Sequence, residues 1–524
     1  MKRRDFCKGL AVTFAAGTLA PAAALPQAGA ATALVGRAVP DDYYTLWYRS
    51  DRCGADLRHD YYYSDSLFDH PATEYDNQLA LATLGMAAAA DCTWESDQRY
   101  WMEGEVGRAD HIRDAFAKLG FTEVQLFNYT HSLNDTPDTV GCAIARKTLV
   151  RGGRQVTIIG AFLRGSGYGA EWSGNLHAGP GSAHVGFVTA ARQLAKKIRG
   201  YVQTSAKRQP LGTLKLWMGG YSRGGGVANL VAARLPAVLP QLEKKNTFVY
   251  TFAAPASLTA ADCPDLQQDY DNNHAADGSL KKNWGTSNIF NIVSSGDVIP
   301  RILPAEWGFY RNGNDRFLPS TVIPEELEAL NDRSAGMEGT PIDFGRLAVS
   351  EETDAVLRSM LDLFCDRQTY YKGYEDAMRC MLQCATTRTE EEVTRGIVRD
   401  DAAVVAQLRS MELMQRFPQE KVERCVQAAS ALSRPVLEKL GSAVPLQAQQ
   451  IVIPMLAVGL CFELQPETVQ LVADFVLSTI TVKGQLSGIL KTVLCHFQEN
   501  YITVLEAYDP ADHGMTPYTR REEL

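Results

Sequence analysis

The sequence lacks two features that define large classes of protein. Of its 524 residues, 52 are lysine or arginine and 61 are aspartate or glutamate, so the net charge is −9. It contains no long basic run, and we therefore do not expect nucleic acid to be its main partner. Beyond the N-terminus, the best apolar run, residues 451–462, is about half as long as the roughly 20 residues that span a bilayer. The composition is that of a soluble globular protein.

Metal-ligating patterns are also missing. None of the 11 cysteines and 9 histidines shows the spacing of a metal site. Cys380 and Cys384 lie one helical turn apart, but no histidine is near enough in sequence to complete a ligand set. We therefore expect neither a metal nor an organic cofactor. Apart from Cys7, the cysteines could pair in an oxidising compartment or remain buried thiols, and the sequence leaves both possibilities open.

The N-terminus has the pattern of an export signal. A charged start precedes an uncharged, alanine-rich stretch over residues 9–35. The pair Arg3-Arg4, followed by Phe6, is typical of the twin-arginine type, whereas a general secretory signal with a coincidental arginine pair is the alternative. We predict an export signal over residues 1–33, which directs the protein out of a bacterial cytoplasm to the periplasm, the envelope or the medium.

The pattern of apolar residues indicates alternating strands and helices. Two strands joined at residues 151–154 read as a β-hairpin, and the later strands are separated by helices. This order predicts a mostly parallel sheet that is covered by helices on both faces. The predicted helices cover residues 77–87 and 187–198, and the predicted strands cover residues 140–150, 155–163, 247–252 and 289–293, together with the apolar run that leads into Ser222.

The most informative segment places one serine between glycines. Gly220 precedes Ser222 by two residues, Gly224 follows it by two, and an apolar run and a small-residue helix flank the turn. A strand–turn–helix this tight exposes the serine hydroxyl and directs the next backbone N–H towards an oxyanion. An ordinary glycine turn is the alternative, but the flanking pattern favours a nucleophile.

A serine nucleophile needs a base, and the base needs an acid that orients it. Asp297 follows the strand at residues 289–293, at the sheet edge where such an acid lies. Only His496 and His513 follow it in the sequence. His496 lies between apolar stretches and His513 in a polar tail. We therefore predict Ser222 as nucleophile, Asp297 as acid and His496 as base, with His513 as the alternative base.

Acyl transfer also requires donors for the developing oxyanion. The strand that ends near residue 163 continues into Arg164-Gly165-Ser166, and Arg223 directly follows the serine. We predict that Ser166 and the backbone N–H of Arg223 form the oxyanion hole. The Arg223 guanidinium could bind a phosphate or carboxylate of the substrate, but we favour pairing with an acid on the surface.

Together these segments resemble the class 3, fungal-type lipases of the α/β-hydrolase superfamily. The resemblance implies an α/β-hydrolase fold and ester cleavage, with Ser222 as nucleophile, Asp297 as acid, a later histidine as base and Ser166 at the oxyanion hole. It also implies that His184 is structural. The resembling blocks occur in the family's order over roughly residues 140–312, at residues 162–166, 171–172, 184–187, 220–225, 250–255, 291–304 and 307–310.

Three departures from the family stand out. Tyr221 and Arg223 flank the serine where the family usually has His and Leu. The aromatic, acidic segment of residues 41–65 matches no family block, and it is a candidate part of a lid or an acyl pocket. The chain between acid and base is also unusually long, because residues 323–484 lie within it.

The composition of residues 323–484 predicts a helical insertion. Glu, Leu, Ala, Gln and Arg dominate, with apolar residues at three- and four-residue spacing, as in residues 404–413. The α/β-hydrolase core then comprises residues 34–322 and 485–524. We expect most of the insertion to form its own apolar core, and part of it to form a cap over the acyl pocket that contacts a lipid surface transiently.

The sequence thus predicts an exported serine hydrolase that cleaves lipid or other carboxyl esters through an acyl-enzyme. Two alternatives remain open. One is a catalytically silent hydrolase fold that binds a ligand at the cell envelope. The other is a serine peptidase or acyltransferase on the same fold. The sequence does not predict an oligomeric state.

Overall fold

The computed structural model describes most of the predicted core and part of the helical insertion. All described residues belong to one unit, residues 35–524. The predicted export signal, Ser166, His513 and both ends of the insertion lie outside the described residues. The described residues are 36–50, 55–91, 104–105, 109–131, 138–165, 175, 184–258, 286–294, 297, 299–301, 309–318, 376–377, 380–381, 383–384, 399–440, 446–464 and 495–507.

Strands and helices alternate along the described chain, as the sequence predicts. The strands are β1 (Asp42–Ser50), β2 (Ala55–Tyr63), β3 (Gly104–Glu105), β4 (Thr122–Phe127), β5 (Thr130–His131), β6 (Cys142–Arg151), β7 (Arg154–Leu163), β8 (Thr213–Tyr221), β9 (Thr247–Phe252), β10 (Ile289–Ser294) and β11 (Asn314–Leu318). The helices are α1 (Asn77–Ala90), α2 (Asp110–Lys118), α3 (Val185–Arg208), α4 (Arg223–Val238), α5 (Asp401–Ser410), α6 (Gln419–Leu440), α7 (Leu446–Cys461) and α8 (Gln498–Ala507).

The described strands build a seven-stranded sheet in the order β11-β10-β9-β8-β7-β6-β4. Strands β7 to β11 run parallel, whereas β6 is antiparallel to both β7 and β4. The predicted hairpin is present, and its turn residues Gly152 and Gly153 have φ angles of 55° and 75°, which glycine adopts at little cost. The predicted mostly parallel sheet is confirmed.

Successive strand residues point to opposite faces of the sheet. Both faces carry buried apolar side chains, and helices cover both of them. On one face, α3 and α4 pack over buried residues such as Leu216, Met218 and Val249. On the other face, α1, α2 and α8 pack over residues such as Trp217 and Phe248. The carboxyl ends of the parallel strands therefore share one sheet edge, between two layers of helices.

The aromatic segment near the N-terminus forms part of this second layer. Strands β1 and β2 pair as an antiparallel hairpin that packs on α1. The ring of Tyr63 stacks on that of Trp217, with centroids 5.7 Å apart, and Phe68 packs on the same indole. The described part of this segment thus belongs to the core of the fold.

The described residues between 376 and 464, here called the helical region, have an apolar core of their own. Helices α5, α6 and α7 pack on one another. Their buried cluster includes Leu408, Val426 and Val458, with Cys380 and Cys384 from a further helical stretch. The boundaries of the insertion and its role as a cap stay predictions.

Two predictions about composition can be compared with the described residues. None of the six described cysteines is in a disulfide, and five of them are buried. No helix among the described segments is both long and apolar enough to cross a membrane.

Candidate active site

The turn between β8 and α4 holds Ser222 at the carboxyl edge of the sheet. Ser222 has φ 53° and ψ −124°, a conformation that a non-glycine residue adopts only when its surroundings enforce it. Its N–H donates to the carbonyl of Phe252 at 2.9 Å. A Cβ atom at Gly220 would lie 2.4 Å from the carbonyl oxygen of Gly224, and one at Gly224 would lie 2.4 Å from that of Arg164. The glycines that flank the serine are therefore required by close backbone approach.

Asp297 and His496 reach this serine from distant parts of the chain. Nε2 of His496 lies 2.9 Å from Oγ of Ser222, and its Nδ1 lies 2.8 Å from Oδ2 of Asp297. The side chain of Asp297 is 0% exposed and that of His496 is 17% exposed. If Nδ1–H donates to the carboxylate, Nε2 is left to accept the proton of the serine hydroxyl. The three predicted residues thus form one hydrogen-bonded row.

Asp297 is fixed by groups that the sequence analysis did not identify. Its Oδ1 accepts the N–H of Ile299 at 2.9 Å. Its Oδ2 accepts the hydroxyl of Tyr501 at 2.7 Å, and that same hydroxyl accepts the N–H of Ser294 at 3.0 Å. Burial, and then the charge of Asp297, raise the pKa of Tyr501 well above its usual range, so the phenol stays protonated and donates.

Tyr221, which stands where the family usually has His, contacts the base. Its hydroxyl donates to the backbone carbonyl of His496 at 2.6 Å. Its ring packs edge-on against Tyr501, with centroids 5.5 Å apart. Burial raises the pKa of Tyr221 well above its usual range, and the charge of Asp297 adds to this effect. The phenol therefore remains a donor that holds the backbone of the catalytic-base candidate.

Two of the backbone N–H groups in the Arg164-Gly165-Ser166 segment are already engaged. The N–H of Arg164 donates to the carbonyl of Gly141 at 3.1 Å, and that of Gly165 donates to Oδ1 of Asp91 at 2.5 Å. Ser166 lies outside the described residues. The N–H of Arg223 opens helix α4, where helical N–H groups have no acceptor within the helix. Only Arg223 of the predicted oxyanion pair can therefore be located.

Asp91 was not identified from the sequence, although it connects two parts of the site. Besides Gly165 at the end of β7, its carboxylate accepts the side-chain amide of Gln498. Gln498 begins α8, two residues after His496. Asp91 itself terminates α1. An aspartate at the end of a helix does not indicate, from the sequence alone, that it contacts residues far away in the chain.

The predicted surface location of the Arg223 side chain is wrong. The residue is only 1% exposed, because the turn directs its side chain inward. Its Nε donates to the carbonyl of Thr139 at 3.0 Å, and a terminal nitrogen donates to Oδ1 of Asn175 at 2.8 Å. The guanidinium carbon lies 5.0 Å from the ring centroid of Phe187. The side chain is thus held among protein groups rather than at the surface.

His184 has a structural role, as the resemblance implies. It caps the N-terminus of α3, where its Nδ1 accepts the N–H of Phe187 at 3.3 Å. Nδ1 is therefore an acceptor, and Nε2–H donates to the backbone carbonyl of Asn175 at 2.8 Å. Elsewhere in the described chain, no group of three or more His, Cys, Asp or Glu side chains is arranged to hold a metal ion.

Comparisons with known proteins agree with the sequence motifs. Residues 165–307 match the family model described as lipase (class 3), which confirms the resemblance over that segment. No curated protein matches the chain.

Several solved fungal lipases align with part of the fold at low identity. Rhizomucor miehei lipase, in its propeptide complex, is 19% identical with a TM-score of 0.30, over 46% of this chain and 68% of that one. Lipase II from Rhizopus niveus is 16% identical with a TM-score of 0.30, over 46% and 80%. Lipase from Rhizopus microsporus var. chinensis is 15% identical with a TM-score of 0.29, over 54% and 84%.

Proposed function

We propose that this chain is a serine hydrolase that cleaves carboxyl esters, with lipid esters as the substrate class. The match to the class 3 lipase model supports a carboxylic ester hydrolase. The observation that carries the proposal further is the row formed by Ser222, His496 and Asp297, with contacts of 2.9 and 2.8 Å. This arrangement is the one that converts a serine hydroxyl into a nucleophile.

In the proposed reaction, Oγ of Ser222 attacks the ester carbonyl while Nε2 of His496 takes its proton. Asp297 keeps the imidazole oriented and stabilises the imidazolium. The N–H of Arg223, together with Ser166, stabilises the oxyanion of the tetrahedral intermediate. His496 then protonates the leaving alcohol, and a water activated by the same histidine releases the acid from the acyl-enzyme.

A fluorophosphonate probe tests the activated serine directly. We expect it to label the wild-type chain at Ser222 and to leave the Ser222→Ala variant unlabelled. The same variant should lose hydrolysis of p-nitrophenyl esters by about 10⁴- to 10⁶-fold and still fold, as judged by circular dichroism. An unlabelled wild-type chain without esterase activity would instead support the silent, ligand-binding alternative.

A substrate panel separates the classes of acyl donor. Activity on p-nitrophenyl esters of graded chain length, with peptide amides beside them, distinguishes a lipase or esterase from a serine peptidase. We expect turnover of the esters and none of the amides. Preferential cleavage of the amides would contradict the ester assignment.

Export and the cap are further parts of the proposal. The arginine pair at Arg3-Arg4 is the basis for the twin-arginine route. If both arginines are replaced with lysine, the protein should remain in the cytoplasmic fraction of a bacterial host. The wild-type chain should instead be exported from the cytoplasm. For the cap, both ends of the insertion connect to segments that carry Asp297 and His496, so part of it is proposed to cover the acyl pocket and exclude water.

A further inference from the structure

The side chain of Arg223 connects the nucleophile turn to two neighbouring loops. Thr139, whose carbonyl accepts its Nε, precedes β6, and Asn175, whose Oδ1 accepts a terminal nitrogen, lies between β7 and α3. The same Asn175 is held from the other side, since its carbonyl accepts Nε2–H of His184. At least one of the two acceptors of Arg223, Asn175, is therefore itself held in place.

The packing around the guanidinium restricts it further. The guanidinium lies over the ring of Phe187. The same ring packs closely against the first turn of α4, since a Cβ atom placed on Gly226 would lie 3.1 Å from it. The planar guanidinium has donors that point in fixed directions. Two directed hydrogen bonds and one stacked face therefore fix the side chain in position and orientation.

The backbone of the same residue supplies the proposed oxyanion donor. Arg223 follows Ser222, whose φ of 53° is held by the surrounding contacts, so the peptide between them lies at a strained point of the chain. Donors for an oxyanion act only when they are oriented before the reaction, within about 0.5 Å and 10–20° of the productive geometry. A side chain anchored at its far end limits how this peptide can rotate.

We propose that the Arg223 side chain is a positioning residue, which holds its own backbone N–H in the oxyanion hole by anchoring the start of α4 to Thr139 and Asn175. The inference rests on the proposed function and adds a role to it. It also assigns a purpose to the departure from the family, where Leu usually follows the serine. Leucine fills apolar volume but cannot donate to either oxygen.

The central test is the Arg223→Leu variant, which restores the residue usual in the family. We expect kcat for p-nitrophenyl butyrate to fall by about 10- to 100-fold, which is no more than the decrease caused by removing one oxyanion donor. KM should change by less than about twofold. The affinity for an alkyl boronic acid, whose serine adduct is tetrahedral, should fall by a similar factor, because it resembles the transition state. If Arg223 only stabilises the fold, the variant will have a lower melting temperature but unchanged kcat and boronate affinity.

Companion variants keep the test independent of folding. Asn175→Ala leaves the arginine in place but removes one anchor, and we expect a loss of kcat of about threefold. In the Arg223→Leu/Asn175→Ala double variant, the second change should add little, because both remove the same contact. Arg192→Leu, which removes an exposed guanidinium from α3, is the matched control and should keep wild-type kcat and boronate affinity.

Two results overturn the inference. One is an Arg223→Leu variant with wild-type kcat and boronate affinity, whatever its melting temperature. The other is full activity in Asn175→Ala together with fully additive losses in the double variant. Failure of the proposed function itself is read from other samples, because it would appear as a wild-type chain without esterase activity or as an active Ser222→Ala variant.

Discussion

The sheet with its covering helices and the helical region place charged side chains differently. In the sheet, Arg164 and Arg223 are completely buried and bonded to backbone or amide oxygens. In the helical region, the pair Arg434–Asp401 lies at the surface, with side chains 38% and 41% exposed. Exposed pairs contribute little to stability, whereas buried cations must be held by precisely placed acceptors. Next to the nucleophile turn, the two arginines are therefore buried and held by oxygen acceptors, whereas this ion pair of the helical region remains exposed.

The largest effect on activity is expected at the base, which lies outside the helical region. We expect His496→Ala to lower kcat by about 10⁴- to 10⁶-fold, since it removes the proton acceptor of Ser222. His513→Ala should keep wild-type activity, and steady-state kinetics on p-nitrophenyl esters measure both. An inactive His513→Ala with an active His496→Ala would move the base to the other histidine and leave the fold unaffected.

An intermediate effect is expected at Tyr501. Tyr501→Phe removes the donor to Oδ2 of Asp297 but keeps the ring, which packs against Tyr221. A hydrogen bond to a charged group contributes about 1.5–3 kcal/mol, and we expect kcat to fall by about 10-fold, near the lower end of that range. The matched control is Tyr201→Phe, whose hydroxyl donates to the backbone of Glu123 far from the serine. Equal kcat values for the two variants would show that Tyr501 does not orient the acid.

A smaller and more selective effect is expected when the insertion is shortened. If part of it covers the acyl pocket, trimming it with the ends rejoined should change the ratio of long-chain to short-chain ester turnover by a few-fold. Short-ester kcat should remain within about twofold of wild type, because the residues that react are elsewhere. A folded, trimmed variant with an unchanged chain-length profile would leave the helical region with a purely structural role.

The smallest effect on activity is expected from the core of the helical region. Leu408 is fully buried among α5, α6 and α7, and Leu408→Ala should destabilise this region by about 2–5 kcal/mol. Kinetics on short esters should nevertheless stay at the wild-type level at temperatures below the first unfolding transition, which calorimetry locates. A parallel loss of kcat at those temperatures would indicate that the two regions are coupled.

The parts of the fold that local patterns determine could be predicted from the sequence. The strands and turns next to Ser222 and Asp297 follow from apolar runs and from glycines that permit close backbone approach. His496 followed from the small number of histidines after Asp297. The signals for the strands and turns lie within a few residues of the positions that they describe.

The groups that were missed depend on partners far away in sequence. Tyr501 bonds to a carboxylate 204 positions earlier, and Asp91 bonds to Gly165 and Gln498, 74 and 407 positions later. Neither residue type nor spacing indicates such contacts. Arg223 was wrongly assigned to the surface for a related reason, because the direction of its side chain depends on the strained turn before it and not on its charge.

The separation of Asp297 and His496 by 199 positions also has a thermodynamic consequence. Bringing two points of a flexible chain together costs entropy that grows only with the logarithm of the intervening length, by about 0.6 kcal/mol for each doubling. Halving or doubling the chain between acid and base would therefore change this closing term by less than one ordinary hydrogen bond. The part of this stretch predicted to form the insertion, residues 323–484, could therefore gain or lose length with little effect on this closing term.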